Sequence, residues 1–346
     1  MMIAEAIKRL RIGEPIRRRN LTVIPLLDDV PAAPSYLLMS DALAQGLLTI
    51  EEISPSGSVN TIKATNKATL PVLLPDSEEL EGAKQNRVLN VSILIPAQTT
   101  LPIPVSCVEA GRWSYRREMF HRMGEASRRA RERHAMAEQE DMPAPQSDFA
   151  ASPYMLHLED RARKAQQVHR SRRTHGMPMA DQGDIWHEVH MLAFCAEVDS
   201  PTSAMHDVYE HHHARLEQSL EGMEPSQKQV GALFAIDGEI VGMELFDSPD
   251  TFHKMFPKIL RSYAISALWG SDQESHAPDH AEAERFLEQV ATASVEPFQA
   301  VGQGTDLHLS GEALAGIALL NEERLIHLYA FRTTRSDRSR RAPVDV

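Results

Sequence analysis

The stretch Val230-Gly-Ala-Leu-Phe-Ala-Ile236-Asp237-Gly238-Glu239-Ile-Val-Gly-Met-Glu-Leu-Phe246 decides the back half of the fold, because it predicts a β-hairpin. Asp237 and Gly238 separate two runs of strand-forming residues, and this dipeptide supplies the positive φ angles that a two-residue turn needs. Ser248 and Pro249 then mark a helix start, as the N-cap and the first helical residue. An apolar stripe at helical spacing continues to Leu268, so we expect this helix to pack on the sheet that contains the hairpin.

Further strand-like segments lie on both sides of this unit. They cover residues 21–27, 36–39, 47–53, 59–65, 91–95 and 101–105 in the front half, and 306–309, 316–320 and 325–330 near the end. Short strands separated by turns are typical of a sandwich or a barrel. Pro102 and Pro104 lack the N–H that a ladder needs, so their strand is expected at a sheet edge. The predicted class is α+β, with a β-sandwich-like N-terminal half packed with a C-terminal β-hairpin/helix half.

A helical insertion is expected between the two halves. After Trp113 the chain becomes rich in Arg, Glu, Ala and Met, which favour helices, and prolines interrupt the segment between residues 142 and 153. Two more helices are predicted near 185–197 and 204–220. The expected division is an N-terminal helical arm (1–20), a β-rich half (21–113), a basic helical insertion (114–180), an α+β half (181–331) and a disordered tail (332–346).

Two clusters of basic residues lie within or beside the insertion. The clusters are Arg116, Arg117, Arg122, Arg128, Arg129 and Arg131, and then Arg161, Arg163, Lys164, Arg170, Arg172 and Arg173. Either cluster could approach an anionic ligand, but the more common explanation is a solvated helix face that pairs with acidic residues elsewhere. The formal net charge of −13 argues against general nucleic-acid binding, because neutralising phosphates needs an excess of cations on the contact face.

Composition restricts the class of protein further. A chain of 346 residues that is 42% hydrophobic can bury a full core, as one large or two ordinary domains. No apolar run approaches the length of a membrane span, and the start has no apolar core of an export signal. The two cysteines do not make a disulfide framework, which fits a cytoplasmic location.

The segment Glu78-Glu79-Leu80-Glu81-Gly82-Ala83-Lys84-Gln85-Asn86-Arg87-Val88-Leu89 is the first candidate site. Its charges lie between two apolar runs, on a connection where binding residues are often found. Lys84 and Arg87 could bind a phosphate with Asn86 beside them, while Glu78 or Glu81 orients a ribose hydroxyl or activates water. The alternative is a solvated turn whose carboxylates and cations pair with one another.

Other residues could complete such a site from elsewhere in the chain. The catalytic set is Glu78, Glu81 and Glu109, and the ligand-binding set is Lys84, Asn86, Arg87, Arg112, Asp247, Lys258 and Arg261. Arg261 has a structural alternative, because it could pair with Asp247 or Asp250 at the helix start. No metal site is expected, since His187, His190, Cys195 and the histidines near 211–213 lack a defined set of further ligands. No motif identifies a cofactor.

Two blocks carry a resemblance to a known family. The 78–89 segment and Ser106-Cys107-Val108-Glu109-Ala110-Gly111-Arg112-Trp113 resemble the uncharacterised bacterial family named for its association with ADP-ribosylglycohydrolases and rhodanese-phosphatases, abbreviated ARPP. Segments 182–189, 236–251 and 258–263 look like the later blocks of this family, so the resemblance spans roughly residues 20–331. Ser77 stands where a glycine is expected before the first Glu.

The resemblance implies a cytoplasmic protein linked by gene neighbourhood to ADP-ribose and NAD metabolism in biological conflict. We therefore expect an enzyme or binder that acts on a nucleotide-derived anionic ligand, such as ADP-ribose or an NAD-related compound. The alternative is a non-catalytic scaffold or adaptor that binds a partner protein or RNA through the basic insertion. Convergence of Glu78, Glu81, Lys84, Arg87 and Glu109 in one concave site would favour the first hypothesis.

Overall fold

A computed structural model describes residues 2–29, 33–54, 56–112, 147–270 and 276–333. The strands are β1 (Arg11–Ile12), β2 (Ile16–Arg18), β3 (Leu21–Leu27), β4 (Leu37–Leu38), β5 (Leu48–Glu52), β6 (Thr61–Asn66), β7 (Val72–Leu74), β8 (Glu78–Gly82), β9 (Arg87–Leu89), β10 (Ile93–Ile95), β11 (Thr100–Cys107), β12 (Phe149–Met155), β13 (Gln229–Ile236), β14 (Glu239–Phe246), β15 (Ser294–Gln299), β16 (Thr305–Gly311), β17 (Leu314–Asn321) and β18 (Arg324–Arg332). The helices are α1 (Met2–Lys8), α2 (Met39–Ala44), α3 (Leu158–His175), α4 (Gln182–Cys195), α5 (Met205–His211), α6 (His213–Leu220), α7 (Pro249–Ala267) and α8 (His280–Thr292). The α+β class is confirmed.

The predicted hairpin lies at the centre of the largest sheet. The strand order is β1-β3-β13-β14-β18-β17-β16-β15, with β2 also paired to β3, and all pairs are antiparallel. Asp237 and Gly238 have φ angles of 54° and 81°, as the turn requires. Because β3 pairs with β13, the front and back halves share this sheet. At the far end β15 pairs with β16 alone.

Helices cover both faces of the large sheet. The helix predicted after the hairpin is confirmed as α7, with the Ser248 hydroxyl accepting from the Asp250 N–H and Pro249 at the first position. α7 and α3 pack on one face, and α1 and α8 cover the other with an apolar cluster that includes Ile3 and Phe286. Strands covered on both faces can be apolar throughout, and β13 is buried at every residue.

Two smaller sheets are built from the front half together with β12. One has the order β12-β8-β9-β11-β6-β5 and the other β10-β7-β4. The edge prediction for β11 holds only for its first half. There Pro102 and Pro104 lie opposite β6 alone, whereas residues 105–107 pair with β9 on the other side. The missing N–H groups are tolerated where the second neighbour is absent.

Residues 147–180 differ in part from their predicted structure, since α3 is helical as expected but the segment before it is not. The segment 149–155, expected to interrupt a helical region, forms β12 and pairs with β8. In α3, Arg161, Lys164 and Arg172 are buried, so the interpretation of the second basic cluster as a solvated face is wrong for these three cations. The expectations for residues 114–146, including the first basic cluster from Arg116 to Arg131, and for the tail after 333 lie outside the described residues. The helix predicted at 204–220 is divided at His212 into α5 and α6.

Candidate functional site

The alternation of β8 separates the glutamates of the first candidate segment. Successive side chains of a strand point to opposite faces. Glu78 therefore meets α7, where it forms an ion pair with Lys258, and burial raises the pKa of its carboxyl while Lys258 opposes the shift. Glu79 faces the other way and accepts from the Ser152 hydroxyl at 2.5 Å. Its carboxylate also lies 3.1 Å from Nδ1 of His206.

The turn after β8 is closed by Glu109. Its Oε2 accepts from the Asn86 backbone N–H at 3.1 Å and pairs with Nε of Arg112 at 2.9 Å. Its Oε1 accepts from the Thr202 hydroxyl at 2.9 Å. Burial raises the pKa of the Glu109 carboxyl, and Arg112 opposes that shift. Both carboxylate oxygens therefore have structural partners.

Glu81, near the end of β8, and Lys84, in the turn that follows, are only partly buried. Arg112 donates to the Lys84 carbonyl oxygen at 3.1 Å. Glu81 acts electrostatically on His206. Burial lowers the pKa of that histidine, but the hydrogen bond to Glu79 and the charges of Glu79, Glu81 and Glu210 raise it to about 9.

Of the other predicted binding residues, Arg87 adjoins this turn, whereas Asp247 and Arg261 lie apart from it. Arg87 is fully buried and donates to Gln85 Oε1 at 3.0 Å. Arg261 pairs with Glu217 at 2.7 Å, not with an aspartate of the helix start. Asp247 accepts from the Tyr36 hydroxyl at 2.5 Å and lies 2.5 Å from Arg324 Nε.

The structure thus joins Asn86, Glu109 and Arg112, with Arg87 beside them through Gln85. It joins Glu78 to Lys258 and leaves Asp247 and Arg261 in two other places. The catalytic and ligand-binding roles assigned to them stay predictions. Across the described ranges no group of three or more His, Cys, Asp or Glu residues is arranged to hold a metal ion. Over the same ranges, no helix has both the length and the apolar character to cross a membrane.

A second constellation lies between α3 and the large sheet, and the sequence interpretation missed it. We call it the polar layer. It consists of Arg161, Lys164 and Arg172 on α3, Asp76 and Ser92 from the front half, and Glu244, Asp306, His308, His327 and Tyr329 on the sheet. Each of these side chains is buried. Residues 161, 164, 168 and 172 recur at helical spacing, which places the three cations on the same face of α3 as the buried Val168.

Three ion pairs connect the helix to its surroundings. Arg161 Nη2 lies 2.6 Å from Glu244 Oε1, and Arg172 Nη2 donates to Asp306 Oδ2 at 2.8 Å. Lys164 pairs with Asp76 and also donates to the Leu89 and Asn90 carbonyl oxygens at 3.0 Å. Removing one member of a buried pair is costly, because the other charge is left without compensation in a low-dielectric interior.

Asp76 is followed by a residue in an unusual conformation. Ser77 has a φ angle of 63°, in the left-handed region that favours glycine. Its hydroxyl donates to Asp76 Oδ2 at 2.8 Å, and its N–H donates to the Leu89 carbonyl oxygen. A serine thus occupies the position where the family resemblance implied glycine, and its hydroxyl holds the carboxylate that pairs with Lys164.

Consecutive side-chain contacts link a serine, a histidine and a glutamate within the polar layer. The Ser92 hydroxyl lies 2.6 Å from Nδ1 of His327, and Nε2 of His327 lies 3.2 Å from Glu244 Oε2. The imidazole stacks on Phe246, with ring centroids 4.1 Å apart and planes 9° apart, so its orientation is fixed by packing. The Asp76 backbone N–H donates to Ser92 Oγ at 3.0 Å.

Several buried polar atoms of the layer have no hydrogen-bond partner among the described residues. They are Arg161 Nε and Nη1, Arg172 Nε, Asp306 Oδ1, both ring nitrogens of His308 and the Tyr329 hydroxyl. The Arg161 guanidinium lies 4.9 Å from the Phe331 ring centroid and 5.8 Å from that of Tyr329. An unsatisfied buried polar group costs about 1–3 kcal/mol, so such groups call for a reason.

The layer approaches solvent at the β15 edge. There His169 Nε2 lies 2.9 Å from Glu296 Oε2, and the His169 ring centroid is 5.1 Å from that of His308. Burial lowers the pKa of His308 to about 3, assisted by His169 and Arg172. Burial also raises the pKa of Asp306 to about 6, although Arg172 opposes the shift. At neutral pH the layer therefore holds a neutral histidine beside a carboxylate.

Two sequence signals point to this layer. The basic residues at 161, 164 and 172 share a helical face with apolar ones, so that face cannot be a purely solvated one. The strand 325–331 carries His327 and Tyr329 on one side and Leu328 and Ala330 on the other, which indicates cover on both sides. Histidine and tyrosine on a covered strand predict a polar partner opposite.

The fold and the layer together define an α+β protein with a charged, buried helix–sheet interface. The family model described as "ARG and Rhodanese-Phosphatase-superfamily-associated Protein domain" (ARPP-1) matches residues 9–147 and 138–331. The chain belongs to this family. No curated protein and no solved structure matches it.

Proposed function

We propose that the chain binds a nucleotide-derived anionic small molecule, ADP-ribose or an NAD-related compound, in the polar layer. The observation that carries this proposal is the set of unpartnered atoms. Most are donors, on Arg161, Arg172 and Tyr329, and a planar guanidinium with open N–H groups suits phosphate oxygens. The acceptor Asp306 Oδ1 suits a sugar hydroxyl. A ligand with both phosphates and hydroxyl groups would match this mixture.

The geometry and the family description support the same ligand class. Arg161 and Arg172 lie eleven positions apart on α3, which corresponds to roughly 16 Å along a helix, enough for a nucleotide-sized ligand. The association with ADP-ribosylglycohydrolases that the family name implies suggests ADP-ribose chemistry. Lys258 and Arg261 of the first candidate set are each paired with a glutamate, as Arg161 and Arg172 are paired with Glu244 and Asp306. The two arginines of α3 differ in keeping buried N–H groups without a partner.

The alternative, an adaptor that binds through a basic helical surface, has less support from α3. Arg161, Lys164 and Arg172 face the sheet and offer no charge to an external partner. Arg163, Arg170 and Arg173 are the members of that cluster that stay exposed. The adaptor hypothesis remains a prediction for the residues outside the described ranges.

Replacing Tyr329 by Phe tests the proposal without damaging the fold. The hydroxyl has no partner in the ligand-free protein, so its removal should leave the midpoint of thermal unfolding unchanged or raise it. A ligand at a hundred times its Kd stabilises the folded state by about 2.7 kcal/mol. We expect ADP-ribose or NAD to raise the midpoint of the wild-type protein. Tyr329→Phe should reduce the affinity by roughly tenfold, because it removes one hydrogen bond to a charged ligand.

The matched control is Tyr209→Phe. Tyr209 is equally buried, but its hydroxyl donates to the Met155 carbonyl oxygen at 2.7 Å. This variant should lose about 1 kcal/mol of stability and keep the full ligand-induced shift. The proposal fails if none of these nucleotides shifts the wild-type midpoint, or if Tyr329→Phe binds as tightly as the wild type.

A further inference from the structure

We infer that Ser92 is the nucleophile of a hydrolytic centre in the polar layer, with His327 as its general base and Glu244 as a positioning residue. The substrate class rests on the proposed function: an ester formed on a sugar hydroxyl of the anionic ligand. Three segments that are distant in sequence supply the residues of this centre. Ser92 ends the loop before β10, His327 lies in β18 and Glu244 lies in β14. Their side chains are in contact in the sequence expected for an activated nucleophile, because the hydroxyl contacts a base and the base contacts a carboxylate.

The hydrogen bonds define the direction of proton transfer. Ser92 Oγ lies 2.6 Å from Nδ1 of His327, so the hydroxyl donates when the imidazole carries its proton on Nε2. That Nε2–H then points to Glu244 Oε2 at 3.2 Å, and the carboxylate holds this tautomer. The Asp76 N–H, 3.0 Å from Ser92 Oγ, stabilises negative charge that develops on the oxygen.

The His327 imidazole is held in a fixed orientation, which supports its role as a general base. Stacking on Phe246 fixes the ring plane, and β18 fixes its position in the sheet. Glu244 also contacts Arg161 through Oε1, so the carboxylate that orients the base touches the guanidinium with open N–H groups. A ligand phosphate on Arg161 would be held next to the group that orients His327. Binding and chemistry are thereby linked through Glu244.

The reaction balances without any further reactant except water. Ser92 Oγ forms a bond to the acyl carbon, its proton moves to His327 Nδ1, and the bond from the carbon to the sugar oxygen breaks. That oxygen takes the proton from His327 and leaves as the alcohol. Water then gives a proton to His327 and attacks the acyl-serine, and the products are the carboxylic acid and free Ser92.

Covalent labelling with a fluorophosphonate ester tests the centre independently of the unidentified substrate. Ser92 would attack phosphorus, fluoride would leave, and the proton would pass to His327. We expect one adduct on Ser92 by mass spectrometry of the full chain. Ser92→Ala should abolish it, and His327→Gln should slow it by roughly 100-fold or more, because a general base contributes at least that much. Glu244→Gln should slow labelling and change its pH–rate profile, because the charge that supports the protonated imidazole is lost.

Ser106 is the matched control for access. It is as buried as Ser92, but its hydroxyl donates to Asn90 Oδ1 at 2.8 Å and not to a histidine. Local opening of the fold would expose both serines, whereas activation would favour Ser92 alone. Ser106→Ala should therefore keep full labelling. Equal labelling of the two serines, no labelling of Ser92 in the folded protein, or an unchanged rate in folded His327→Gln and Glu244→Gln would overturn the inference. A labelled Ser92 with no nucleotide-induced shift would instead contradict only the proposed ligand.

Discussion

Arg161→Met is expected to lower the free energy of unfolding by about 3–5 kcal/mol, the range found when one partner of a buried ion pair is removed. Arg161 is fully buried and its partner Glu244 is equally so. Methionine fills part of the space of the arginine side chain, so the main loss is the compensation of the Glu244 charge. Urea unfolding at neutral pH, with the slope checked for two-state behaviour, measures this change.

Two further variants separate the buried charge from the loss of a long side chain. Arg163→Met removes a half-exposed cation from the same helix, where it pairs with Glu188, and should cost less than about 1 kcal/mol. Adding Glu244→Gln to Arg161→Met should recover part of the lost stability, because no buried carboxylate is then left alone. A similar cost for Arg161→Met and Arg163→Met, with no recovery in the double variant, would show that the pair contributes nothing beyond a surface contact.

The elements that were predicted well are those with local physical signals. The hairpin depends on two adjacent residues that accept positive φ, and the start of α7 depends on Ser248 and Pro249. Both features arise within a few residues, and tertiary packing then agrees with them. The bounds of β3 were also found correctly, because Leu21–Leu27 is apolar except for Thr22 and forms a strand buried along almost its whole length.

The elements that were missed depend on partners far away in sequence. β12 contains Ser152 and Pro153, which read as a break, yet its pairing with β8 determines a strand. The inward face of α3 could not be assigned from charge alone, because the acidic partners of Arg161 and Arg172 are Glu244 and Asp306. These lie more than eighty residues downstream.

The candidate site was also difficult to predict, because its residues depend on partners far away in sequence. Density of charge in the 78–89 segment indicated a site, but the alternation of β8 sends Glu78 and Glu79 to opposite faces. Ser92, Glu244 and His327 share no local motif, since strand pairing and loop packing bring them together. Such a constellation is recognisable by geometry and not by spacing.

His308→Leu is expected to remove a large part of the acid sensitivity of the protein. The pKa of His308 is lowered from its ordinary value of 6.5 to about 3, mainly by burial. The unfolded chain therefore binds a proton near pH 6.5 while the folded one does not. The stability from this group is fully present above pH 6.5 and is lost as the pH falls towards 3. Because protonation is linked to folding, the free energy of unfolding falls by about 1.4 kcal/mol for each pH unit below 6.5.

Urea unfolding of the wild type and of His308→Leu at pH 7.5 and at pH 5.5 measures this loss of stability. Asp306, with its pKa raised to about 6, works in the opposite direction, since its folded form gains a proton first and becomes more stable as the pH falls towards 3.8. Both proteins contain Asp306, as well as the neighbouring His169, Arg172 and Glu296, so the difference between them isolates His308. His190→Leu, at an exposed histidine of α4, serves as control and should follow the wild type. If His308→Leu keeps the full acid loss, the histidine takes up its proton in the folded protein. The layer would then have to solvate an imidazolium between Arg172 and His169, which its burial opposes.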